Sequence, residues 1–83
     1  MKTVIDTKFN VGDMVYVADH YYDFYANRIP YLIKAILIDV NHRRTRIAYE
    51  VEQGDATYRI PEAWVFATYE ECAEWCEKEN ESV

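Results

Sequence analysis

Serine is nearly missing from this chain. None precedes Ser82, and the only glycines are Gly12 and Gly54. Nucleophilic catalysis needs a presented nucleophile, a base beside it and donors for the developing oxyanion, so His20 next to Asp19 and Asp23 is a set of solvated loop charges and not a catalytic pair. The sequence predicts no catalytic residues and no enzyme. Cysteine is limited to Cys72 and Cys76, four residues apart on one helical face, where the Cβ directions suit a disulfide poorly. A lone pair is no disulfide framework, and free thiols in a reducing cytosol are the expected state. With His20 and His42 the cysteines also lack the short paired spacings of a zinc site, so no metal and no cofactor is expected. The first residues, Met1 to Asp6, carry no apolar signal core, and no run approaches the roughly 18 apolar residues of a membrane span. A cytoplasmic protein without a membrane segment is expected. Basic residues are few as well, nine against fifteen acids, for a net charge of -6. General binding to nucleic-acid phosphates is therefore disfavoured, because it needs clustered Lys and Arg facing the backbone.

What is abundant is aromatic surface: eight Tyr, three Phe and two Trp in 83 residues, with 51% apolar residues and only two prolines. That composition is globular and not disordered. A chain of this size buries only about 60 to 65% of its unfolded surface, so its core rests on side chains that each bury on the order of 150 to 250 Å². One domain is expected, over residues 1–83.

Residues 31–51 are the centre of the pattern. In Thr45-Arg46-Ile47-Ala48-Tyr49-Glu50-Val51-Glu52, Ile47, Tyr49 and Val51 alternate with Arg46, Glu50 and Glu52, the period of a half-buried strand. Residues 32–40 are denser, β-branched at Ile33, Ile36, Ile38 and Val40, and predict a central strand with neighbours on both sides. The polar tetrad Asn41-His42-Arg43-Arg44 closes them into a hairpin. Before it, Gly12-Asp13 is a turn into a strand with Val15 and Val17 inward; after it, Gln53-Gly54-Asp55 turns into a strand over 56–60 that Pro61 stops. Residues 61–63 suit a single helical turn leading to a short strand, Trp64-Val65-Phe66.

Thr68-Tyr69-Glu70-Glu71 has the form of a capping box. The helix it starts has Tyr69, Cys72, Ala73 and Cys76 on one face, with Trp75 at the border and glutamates opposite. Acids near its far end oppose the helix dipole, so fraying is expected from about Glu79. The charge sits here: residues 68–83 hold six glutamates against Lys78, net -5, and the remainder is near neutral.

The stretch Phe9-x-x-Gly12-Asp13-x-Val15-Tyr16-Val17, with the hairpin and the late short strand, resembles the opening of SH3-like small β-barrels of the KOW and Tudor kind. The segment Val65-Phe66-Ala67-Thr68-Tyr69-Glu70-Glu71 is similar to one in uncharacterised small proteins of phage and bacterial genomes. The resemblance implies a mainly β fold with one C-terminal helix, an SH3-like five-stranded antiparallel barrel: lead 1–7, barrel 8–67, helix 68–79, frayed tail 80–83. In that frame residues 18–30 are a long loop at the position of the RT loop, carrying Tyr21, Tyr22, Phe24 and Tyr25 toward Trp64. Exposed aromatics there make a protein-binding surface, whereas folded-back ones complete a core short of volume. Glu70, Glu74 and Glu77 offer a second surface, one that imitates a phosphate ladder to a basic protein, or simply a solvated helix face. The expected function is non-enzymatic protein binding, in the setting of a phage or mobile-element accessory protein that inhibits a host factor such as a nucleic-acid-directed defence enzyme. The alternative is nucleic-acid binding through Arg43, Arg44, Arg46 and Arg59, because hairpin tips of KOW and Tudor-like barrels touch nucleic acid. That alternative requires the arginines on one exposed face, unpaired with Glu50 and Glu52.

Overall fold

The computed structural model describes residues 5–81. Its longest ladder is the central hairpin, β3 (Tyr31–Val40) with β4 (Thr45–Gln53), paired antiparallel from Leu32 opposite Glu52 to Val40 opposite Thr45. Asn41 shapes the reversal twice over. Its amide donates to the Arg44 carbonyl (3.0 Å), and its Oδ1 accepts from the amides of Arg43 (2.8 Å) and Arg44 (3.1 Å). An Asx turn of this kind offers the local bonds that two flanking strands cannot supply at their joint.

The apolar density of β3 has a cause the alternation alone does not show. The register slips between Ile33 and Ala35, a bulge that takes Lys34 out of the pairing. Ile33 and Ile36 would otherwise face opposite ways; the bulge puts Ile33, Ile36 and Ile38 behind Val51, Tyr49 and Ile47 on one side. The expected neighbours on both sides exist only at the start of the strand. Strand β1 (Met14–His20) pairs with β3 at Met14–Leu32 and Val15–Tyr31, extended by Gly12 N–H to the Ile33 carbonyl and Ile33 N–H to the Asp13 carbonyl, both 2.9 Å. The distal part of the hairpin runs on beyond β1, and Ile38 and Val40 are exposed there.

Strand β5 (Ala56–Pro61) follows a two-residue turn in which Gly54 takes φ 62°, a left-handed conformation that any Cβ would disfavour. It includes Pro61, so the single helical turn falls at Glu62–Trp64, one residue later than expected, and the short strand β6 is Val65–Phe66. With β2 at Phe24–Ala26, all ladders are antiparallel, in the order β2-β1-β3-β4-β5, with β6 on β1. Six strands stand where five were expected. The addition is β2 (Phe24–Ala26), which pairs with β1 from Ala18–Ala26 to His20–Phe24, so residues 18–30 are largely a hairpin and not a long loop.

Helix α1 (Tyr69–Glu81) packs on β1, β2 and β6. The Thr68 Oγ1 accepts from the Glu71 amide (3.2 Å), half of the capping box; the reciprocal bond is not made. The helix does not fray at Glu79. Asn80 is bonded to β2 on both sides of its carboxamide, so the last turn is held through Glu81 where a frayed tail was expected, and residues 82 and 83 lie outside the described residues. Of the expected lead, residues 1–4 lie outside the described part, and residues 5–7 have no regular structure.

Strand β1 divides two cores. Val15 and Val17 join Tyr31, Ile33, Tyr49, Val51 and Val65 in the first, flanked by Phe9, Ile36, Ile47 and Ile60. Ala18, Cys72 and Cys76 form the second, with Tyr16, Phe24, Trp64, Phe66 and Trp75 around them. The layers therefore run helix, second core, β1, first core, and the β3-β4-β5 sheet. Among the described residues no helix is long and apolar enough to cross a membrane.

Candidate protein-binding surface

Tyr21, Tyr22 and Asp23 make the turn between β1 and β2, closed by the Tyr21 amide on the Asp23 carbonyl (3.1 Å). Both tyrosines stand in solvent, 76% and 87% exposed, with their rings edge to face at 4.5 Å. Tyr25, on the outer side of β2, is half exposed. Phe24 is the member that turns in. It lies edge-on to Trp64 (5.3 Å) and to Trp75 (4.9 Å), with His20 on its remaining side (4.7 Å). Alternation along a short strand gives this division: 24 and 26 face the helix, and 25 faces away. Of the four aromatic residues that the sequence places in a binding loop, three are exposed tyrosines, while Phe24, together with Trp64 beyond the loop, belongs to the second core.

The turn is firmly seated. Asn80 Oδ1 accepts from the Phe24 amide (2.9 Å), and its Nδ2 donates to the Phe24 carbonyl (2.8 Å), a two-bond clasp 56 residues away in sequence. Its effect is to set the tyrosine turn beside the last turn of α1. Asn80 had no signal in the sequence, since a polar residue near an acidic helix end gives no hint of a distant strand. On the flank, Asp19 Oδ2 accepts from Asn27 Nδ2 (3.1 Å), which also reaches the Tyr31 hydroxyl (3.1 Å). Burial, together with the Asp19 carboxylate, pushes the Tyr31 hydroxyl up to about 12. Arg28 lies over the Tyr69 ring at 5.4 Å and ties the β2–β3 connection to the first turn of the helix.

The acidic surface is on α1. Glu70, Glu74 and Glu77 are all exposed, at helical spacings that align them along one stripe. Glu74 pairs with Lys78 at 3.2 Å. The thiols of Cys72 and Cys76 are buried beneath, and burial pushes Cys72 up to about 12, with Cys76 beside it adding to the effect. Thiols so placed are inert packing groups.

A second hydroxyl network, around Tyr49, also holds the first core. Tyr49 donates to Glu62 Oε2 at 2.5 Å and accepts from the Phe9 amide (3.3 Å), while Glu62 Oε2 also accepts from the Lys8 amide (3.2 Å). Burial, then the Glu62 hydrogen bond, raises the Tyr49 hydroxyl to about 12. This network ties residues 8 and 9 down, and it is structural.

The arginines are at the far end of the hairpin and on the outer face of the sheet. Arg43 and Arg44 extend from the Asn41 turn, Arg46 is on β4 and Arg59 on β5, opposite Glu50. All four are exposed, and among the described residues none makes an ion pair; Glu52 pairs instead with Lys34, at 4.0 Å. The tyrosine turn and the arginine face are separate surfaces. Comparison of the chain with family models, with curated proteins and with solved structures returns no match.

Proposed function

We propose that the chain is a protein-binding module and not an enzyme, with the tyrosine turn as its anchor. The observation that carries this is the exposure of Tyr21 and Tyr22 on a turn whose following residue, Phe24, is packed between Trp64 and Trp75 and bonded to Asn80. Large apolar side chains are exposed at a cost that folding alone does not explain, and a tyrosine on a preformed turn contributes contact area and a hydroxyl with little entropy left to lose. The neighbouring acidic stripe of α1 favours a basic partner surface. The bent antiparallel sheet is in keeping with an SH3-like barrel, in which the β1–β2 hairpin takes the place of the RT loop. The biological setting that accords with the Val65 to Glu71 segment is a phage or mobile-element accessory protein acting in the host cytoplasm on a factor such as a nucleic-acid-directed defence enzyme.

The test is capture of a partner from host lysate by the wild-type chain and by Tyr21→Ala with Tyr22→Ala. Both rings are in solvent, so thermal stability should move by less than about 0.5 kcal/mol, while binding weakens by about 1 to 3 kcal/mol per anchor residue. Capture unchanged by the double substitution would remove the turn from consideration. Nucleic-acid binding through Arg43, Arg44, Arg46 and Arg59 has one observation in its favour, their lack of carboxylate partners. The net charge of -6 opposes it. Retention of a duplex or single strand with a steep salt slope, lost on Arg43→Glu with Arg44→Glu, would establish that reading instead.

A further inference from the structure

The outer face of the sheet has a depression whose chemistry is separate from the tyrosine turn. Ala48 on β4 and Pro61 on β5 are register partners, and Arg46 and Arg59 lie two residues away from them on the same face. Because Ala48 is short, the sheet dips between the two guanidiniums into adjoining concavities of about 560 and 480 Å³. Arg46, Ala48 and Arg59 line both; Leu37 and Asp39 wall one, and Pro61 and Ala63 the other. Asp39 is the register partner of Arg46, yet no ion pair joins them. Two exposed guanidinium forks over an apolar floor suit an oxyanion, carboxylate or phosphate, which they bind through paired hydrogen bonds, and the net charge of -6 favours side-chain carboxylates on a compact partner over a phosphate backbone.

The same chain carries the complementary surface. The stripe Glu70, Glu74, Glu77 and Glu81 runs along the exposed side of α1 at i, i+4, i+7 and i+11, in a segment of net charge -5. Helix and depression cannot meet within one molecule, because the two cores and β1 lie between them. We propose that copies of this chain associate head to tail, the glutamate stripe of one lying across the Arg46–Arg59 depression of the next. The overall charge of -6 does not forbid this contact. At about 0.1 M salt the Debye length is about 10 Å, shorter than the 42 Å long axis of the molecule, so each copy responds to the face presented to it. The contact is heterologous, so assembly continues with concentration and does not stop at two unless a ring closes.

Sedimentation of the full chain tests this. At about 0.1 M salt the mass should rise with concentration above the 9.9 kDa of one chain, and at about 1 M salt it should return to that value. Arg46→Glu with Arg59→Glu removes the depression; Glu70→Lys with Glu74→Lys and Glu77→Lys removes the stripe. Each variant alone should stay monomeric, and an equimolar mixture should associate again, since the unaltered stripe of one fits the unaltered depression of the other and the two reversed surfaces attract as well. Recovery of association also shows that both variants are folded. A mass of 9.9 kDa for the wild type at every concentration, association indifferent to salt, or a mixture that stays monomeric overturns the proposal. So does retention of a single-stranded oligonucleotide that disappears with Arg46→Glu and Arg59→Glu, which would assign the depression to phosphate.

Discussion

Replacing Asn80 by alanine should loosen the tyrosine turn without unfolding the protein. The substitution deletes two hydrogen bonds to the Phe24 backbone, of 2.9 and 2.8 Å, and leaves the helix with a better helix former. A typical intramolecular hydrogen bond contributes about 0.5 to 1.5 kcal/mol net, so the pair contributes about 1 to 3. Asn80 and Phe24 are half-buried, so water can reach the freed amide and carbonyl, and the helix propensity gained from alanine offsets a few tenths more. The expected loss is therefore about 1 to 2 kcal/mol, a factor of about 5 to 30 in the opening equilibrium. It should be local. The Phe24 amide loses its acceptor directly, so its hydrogen exchange should accelerate by that factor, as should exchange in the last turn of α1, while amides of β3 and β4 change only if they exchange through global unfolding. Amide exchange followed by NMR resolves these sites individually. Unchanged exchange at Phe24 would mean that the Trp64–Phe24–Trp75 wedge alone seats the turn. Equal acceleration throughout the sheet would mean that helix and hairpin open only together.

Alkaline pH should destabilise the fold in a defined window. Tyr31 and Tyr49 are raised from 10.0 to about 12, so the folded state favours their neutral forms; that contribution is complete below pH 10 and is lost as pH rises toward 12, at about 1.4 kcal/mol per pH unit for each group. Cys72, raised from 9.0 to about 12, begins the same loss near pH 9, and a urea midpoint that stays flat from pH 9 to 11 would contradict the burial of all three. Thr68→Ala removes the one capping bond that is formed and should lower stability by about 0.5 to 1 kcal/mol, toward the small end of the usual range; a loss near 2 would imply that the Thr68 amide is capped in solution as well.

Local chemistry made several elements legible in the sequence. Strict alternation in Thr45–Gln53 identifies β4 and its buried face, because a one-residue change would turn Tyr49 and Val51 out to water. Thr68 and Glu71 identify the start of α1, and the spacing of Cys72 and Cys76 its buried side, since both follow from helix geometry and not from any distant contact. The exposure of the tyrosines was open on sequence grounds: four aromatics in five residues exceed what one turn can bury, but which of them turns inward depends on the rings that receive it. Only tertiary structure decided that. Phe24 turns inward because Trp64 and Trp75 arrive from 40 and more residues away, and that same contact goes with a strand over residues 24–26, where local signals give only a loop. Asn80 likewise ends the expected fraying, because its partner is a backbone that sequence spacing cannot bring near. The bulge at Lys34 and the dip at Ala48 are of the same kind. Register and neighbouring strands determine them, and each gives its adjoining arginines or isoleucines a common face that no periodicity in a single strand could announce.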